Sequence, residues 1–161
     1  MRDSCQTIAD RPASSYNAQA TGGQLANLSG AEYLALAEFR HQLERFLQRR
    51  RRAARQVGLQ PKQYQLMLAV KGMEKTHKPT VGEIAERLQV QNHSVVELVD
   101  RLEKRRYVER ERDQSDRRVV HLKLTPAGEA VLRKLVAASL AELKTEAPAL
   151  LRALTTVLRN R

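Results

Sequence analysis

The chain has 161 residues, enough for one domain with a hydrophobic core, and it carries a formal net charge of +11 with 4% aromatic residues and no tryptophan. Such a field attracts polyanions: nucleic acid, an anionic membrane surface or an acidic partner. The scarcity of rings argues against a base-stacking platform for single strands, and a single cysteine, Cys5, excludes an intramolecular disulfide or a cysteine-rich zinc site.

Residues 1–29 read as a flexible N-terminal tail, dominated by small and polar side chains with no apolar period. The stretch 12–31 is too polar to span a membrane, and the first ten residues lack the apolar core of a signal peptide. A cytoplasmic protein with no membrane attachment is expected. Residues 30–56 read as a long helix with Leu36, Phe39, Leu43, Phe46 and Leu47 at helical spacing. Arg49, Arg50, Arg51, Arg52 and Arg55 crowd its end, where cations suit the helix dipole. Gly58 is a natural stop.

Pro61 suits the first turn of a second helix, in which Tyr64, Leu66, Met67, Leu68, Ala69 and Val70 are expected to be mostly buried. Residues 75–79 form a polar loop. Thr80 and Glu83 then make a capping box for a third helix, with Val81, Ile84, Ala85 and Leu88 inward. A short break precedes a fourth helix whose inner face is Val95, Leu98, Val99 and Leu102. Its start has two readings: Asn92 caps it, or Ser94 and Glu97 form a second capping box.

Beyond the fourth helix the period changes to two. Val108 alternates with polar residues up to Arg112, and Val120, Leu122 and Leu124 alternate with His121 and Lys123. The Asp113-Gln114-Ser115-Asp116 link makes these runs a β-hairpin with a charged tip. Thr125 and Pro126 open another helix carrying Leu132, Leu135, Val136, Leu140 and Leu143. Pro148 either breaks it or starts a last helix with Leu150, Leu151, Leu154, Val157 and Leu158. The fold class is mainly α with a small β-hairpin wing: a winged helix-turn-helix spanning residues 58–125, flanked by helices at 30–57 and 126–161. The second short helix suits a major groove, about 12 Å wide.

Residues 79–88 (PTVGEIAERL), 98–104 (LVDRLEK), 108–110 (VER) and, most specifically, 116–128 (DRRVVHLKLTPAG) carry a likeness to a known family. The last segment holds an Asp-x-Arg step leading into Leu-x-Leu-Thr-x-x-Gly. The sequence resembles the MarR family of bacterial transcription regulators. The resemblance implies that the outward face of the fourth helix, with Asn92, His93, Val96, Glu97 and Arg101, reads base edges of double-stranded DNA, while Ser94 meets a phosphate. Arg112, Arg117 and Arg118 on the wing are the candidates for backbone or minor-groove contact, because a guanidinium fits both phosphate and a narrow groove. Asp116, paired with a nearby arginine, is expected to hold the turn.

Three positions depart from the family pattern. Val96-Glu97 replaces a common Thr-Arg pair; Glu97 either accepts from a cytosine amino group or serves only in a cap. Arg106 stands where a glycine follows the reading helix, so a different local turn is expected. Gln60 replaces a capping threonine before the second helix.

The terminal helices carry apolar stripes that a lone chain would leave wet, so a homodimer through residues 30–57 and 126–161 is expected, with an inverted-repeat operator. The resemblance further implies a repressor relieved by a small aromatic or phenolic effector. The alternative is a winged-helix module for protein contacts with reduced DNA binding, motivated by Val96 and Glu97. No phosphate-binding glycine loop, nucleophile elbow or metal-ligand cluster appears, so neither an enzyme nor a cofactor or metal site is expected. His41, His77, His93 and His121 read as surface or hydrogen-bonding residues. Cys5 reads as a bystander thiol rather than a redox sensor, and Arg49 to Arg52 as a solvated helix end rather than a DNA contact.

Overall fold

A computed structural model describes residues 28–116 and 118–159. The predicted tail up to residue 27, Cys5 and Arg117 lie outside the described residues. The elements follow in the order α1 (Gly30–Gln56), α2 (Pro61–Met73), α3 (Val81–Leu88), α4 (Asn92–Lys104), β1 (Val108–Arg112), β2 (Val120–Leu124) and α5 (Pro126–Arg159).

Local chemistry sets the ends of these elements. Ser29 and Glu32 form a capping box on α1, the Glu32 carboxylate accepting from the Ser29 N–H at 2.7 Å. Thr80 and Glu83 do the same on α3, also at 2.7 Å. Both carboxyls are held below the usual range, first by the backbone N–H of the capping residue and then by its hydroxyl. Gly58 (φ +72°) ends α1, and the Leu59 N–H returns to the Ala54 carbonyl at 2.9 Å. Gln89 (φ +53°) makes the equivalent turn between α3 and α4.

Arg106 has φ +56°. The turn after α4 therefore keeps the left-handed geometry a glycine would take, and the expectation of a different turn is overturned. The Tyr107 N–H bonds the Leu102 carbonyl at 2.9 Å, and the Arg106 carbonyl accepts from the Thr125 hydroxyl at 2.6 Å, which fixes the turn from both sides. Arg106→Gly is expected to raise stability by about 1 kcal/mol by relieving the Cβ penalty. Urea unfolding checks this: the midpoint rises and the slope stays unchanged.

The core lies inside the winged unit, where Leu66, Met67, Val70, Ile84, Val95, Val99, Leu102 and Leu122 are fully buried. Leu68, expected inside α2, is instead 43% exposed, because the buried positions around it already fill the face toward α3, α4 and β2. The hairpin is antiparallel, pairing Val108 with Leu124 and Arg112 with Val120. Its second strand also touches the segment before α3: the Leu122 N–H donates to the Pro79 carbonyl at 2.8 Å.

Two readings of helix ends are corrected. Gln91, not Asn92 or Ser94, occupies the N-cap of α4, and its side chain makes no capping bond. Nor does Pro148 divide the last helix: α5 runs through it. An interior proline costs roughly 3 kcal/mol. α5 packs along α1 on both sides of the proline: Arg49 pairs with Glu146 and Arg50 with Glu142 before it, and Ala153 is buried after it. Away from that seam α1 and α5 stay wet: Tyr33, Leu34, Leu140, Leu151 and Leu158 are each more than half exposed.

Candidate nucleic-acid interface

The α3–turn–α4 pair leaves one face of α4 open. Asn92 and His93 open the helix and are exposed, followed by exposed Val96, Glu97 and Arg101, with Ser94 half-buried. Burying Val95, Leu98, Val99 and Leu102 forces these positions outward, because residues one and two apart on a helix face different ways. Glu97 is matched by Arg101, 3.7 Å away on the next turn, so its charge is partly offset. Arg101 also donates to the Gln60 side chain at 3.3 Å, tying α4 to the start of α2. With no side-chain cap on α4, its first N–H groups are available to an anion.

Hairpin and helix are joined by Arg110, a residue to which the sequence alone assigns no role. From β1 its guanidinium donates to Asp100 at 2.6 Å and also pairs with Glu103, both on α4. The fork of a guanidinium can hold two carboxylates at once. At the far end of the hairpin, Arg112 and Arg118 are exposed and make no ion pair among the described residues.

Asp113 organises the tip. Its carboxylate accepts from the Ser115 N–H at 2.8 Å, the Ser115 hydroxyl and the Asp116 N–H at 3.1 Å. The Ser115 hydroxyl first, then those backbone N–H groups and His121, hold the Asp113 carboxyl far below the usual range, so it stays charged. Asp116 accepts from the Arg118 N–H at 3.0 Å, and it makes no ion pair with an arginine among the described residues. His121 faces two acceptors, the Lys78 carbonyl at 3.0 Å and Asp113 Oδ2 at 3.1 Å. The wing root is thus pinned to the loop before α3, helped by Lys78–Glu111 at 3.1 Å. The Asp-x-Ser-Asp spacing at 113–116 is a side-chain turn signal that points to Asp113. No local pattern gives Arg110 or His121 its role, because Asp100, Glu103 and Lys78 lie outside the hairpin.

Among the described residues no group of three or more His, Cys, Asp or Glu could hold a metal, and no helix is long and apolar enough to cross a membrane. A cleft of about 250 Å³ between α1 and α5 is lined by Phe46, Leu143 and Leu150, with Arg45, Arg49 and Glu146 at its polar side.

Two short helices, the second with an exposed outer face, and a two-stranded ribbon bolted beside them define a winged helix-turn-helix fold. Residues 57–119 match the model of the MarR family. An uncharacterized HTH-type transcriptional regulator of Bacillus subtilis, YsmB, is 35% identical over 57 residues, which cover 35% of this chain and 39% of YsmB. The chain therefore matches less than half the length of that relative. A point mutant of Staphylococcus aureus MepR bound to an oligodeoxyribonucleotide superposes with a TM-score of 0.61 at 20% identity, over 83% of this chain and 99% of MepR. Bordetella bronchiseptica BpsR, whose DNA binding is regulated by 6-hydroxynicotinic acid, gives 0.57 at 20% identity, over 75% of this chain and 87% of BpsR.

Proposed function

We propose that the chain is a sequence-specific regulator of transcription that binds double-stranded DNA as a homodimer. The observation that carries this reading is the uncapped, outward face of α4 set beside an arginine-tipped hairpin whose position Arg110 fixes. Asn92, His93, Val96, Glu97 and Arg101 read base edges, with Ser94 toward a phosphate. Arg112, Arg117 and Arg118 contact the backbone or the adjacent minor groove. The exposed leucines of α1 and α5 support pairing of two copies through residues 30–57 and 126–161, since burying apolar surface yields about 25 cal/mol per Å². A two-fold pair reads an inverted repeat.

The finer reading is a repressor released by a small aromatic or phenolic effector that shifts the population between two dimer shapes. It is supported by the cleft beside Phe46, by the family and by the small-molecule regulation of BpsR. The division of labour is tested on selected genomic fragments. Arg118→Ala should weaken binding to every fragment and lower the salt slope by about 1, whereas His93→Ala should change base preference, by about 1–3 kcal/mol at one position. Equal losses on every fragment for both variants would contradict it. A response flat in salt would favour a protein-contact module instead.

A further inference from the structure

One strongly charged surface lies on α1, outside α4 and the hairpin. A groove of about 580 Å³ at the end of α1 is lined by Arg45, Gln48, Arg49, Arg51, Arg52 and Arg55, with no acid among them. Arg49 is paired with Glu146 and Arg51 with Glu44. Arg45, Arg52 and Arg55 make no ion pair among the described residues. At helical rise they span about 15 Å, the axial advance of about four nucleotides of one strand.

This surface is continuous with the proposed reading face. Arg55 lines a second groove together with Gln60, Pro61 and Lys62 at the start of α2. Gln60 in turn accepts from Arg101, on the open face of α4. A cationic path thus leads from α4 across the start of α2 and onto α1. Helix-end cations that served only the dipole would need the last turn, yet Arg45 lies more than two turns earlier. Three unneutralised guanidiniums along one path repel one another, and a polyanion relieves that repulsion.

We infer that the arginine face of α1 is a second duplex contact, which binds the phosphate backbone of DNA flanking the segment read by α4. This rests on the DNA-binding reading above. It takes phosphate without regard to base, so it adds affinity and lengthens the footprint without altering sequence choice.

The test uses the full chain, the triple variant Arg45→Gln/Arg52→Gln/Arg55→Gln, and mixed-sequence duplexes of about 20 and about 40 base pairs, around two and four helical turns. Affinity is measured against salt, since each neutralised phosphate contributes about 0.9 to the slope. The wild-type slope should be steeper on the long duplex, and the triple variant should lose about 2–3 of it there while matching wild type on the short one. Glutamine suits an exposed helix, and unchanged thermal unfolding verifies the fold. Identical slopes for both proteins on both duplexes overturn the inference. So does a variant that keeps its duplex slopes but loses binding to phosphatidylserine vesicles, which would assign the face to a membrane surface. A wild-type protein that binds neither duplex refutes the DNA-binding reading itself.

Discussion

Replacing Gly128 with alanine is expected to destabilise the fold by about 3 kcal/mol and to lower Tm by roughly 10 °C. A Cβ built on Gly128 would lie 2.0 Å from the Tyr107 carbonyl oxygen and 2.8 Å from its carbon. Neither side can give way cheaply. The Tyr107 carbonyl accepts from the Thr125 N–H at 3.1 Å, and its own N–H is held by Leu102. Gly128 donates to the Thr125 hydroxyl at 3.1 Å, in the first turn of α5. This one contact joins the end of α4, the start of β1 and the start of α5. The sign is diagnostic, because alanine for glycine inside an ordinary helix stabilises by about 1 kcal/mol. Gly72→Ala, at an exposed helical site with nothing within 4 Å, supplies that control. Thermal and urea unfolding of both variants should move in opposite directions. A Gly128→Ala protein as stable as wild type would contradict the packing described.

Arg110→Met should cost about 2 kcal/mol of stability and about tenfold in duplex affinity, the two losses having different origins. The stability loss follows from leaving Asp100 and Glu103 without their shared cation, in a setting only partly open to water. The affinity loss follows from freeing the hairpin relative to α4 and leaving two bare carboxylates beside a surface proposed to meet phosphates. Arg110→Lys should restore little, since one ammonium cannot fork to both acids. Adding Asp100→Asn and Glu103→Gln to Arg110→Met should recover stability but not the wing geometry. A double-mutant cycle on urea unfolding, with duplex titrations alongside, separates the two effects. Full duplex affinity in Arg110→Met would show that the wing does not depend on this bolt.

Much of the architecture was legible from patterns only a few residues long. The capping box at Thr80 and Glu83, the helical stripe Val95-Leu98-Val99-Leu102, and the alternation Val120-Leu122-Leu124 each depend on neighbours within one turn or one strand. Their elements run where the patterns place them. The candidate DNA face of α4 was legible for the same reason: once its buried side is known, the outward positions follow. The misreadings were of another kind. Asn92 and Ser94 are good capping residues, but Gln91 takes the N-cap because the αL turn at Gln89 sets where α4 begins. Pro148 is a local helix breaker overruled by the partner helix beside it. Arg106 accepts an unfavourable φ because Thr125 and Leu102 over-determine its turn.

By itself the sequence determined the order and type of the elements as far as the start of α5, the capping box at Thr80 and Glu83, the inward faces of α3 and α4, and the basic character. All of these arise from side chains acting on backbone within a few residues. Only the tertiary structure decided that Arg110 locks the hairpin to α4, that His121 and Asp113 pin its root and tip, and that Gly128 must lack a Cβ. Those interactions join residues that the chain brings together from 7 to 43 positions apart. Their energy depends on distance and direction in space, which no local pattern encodes.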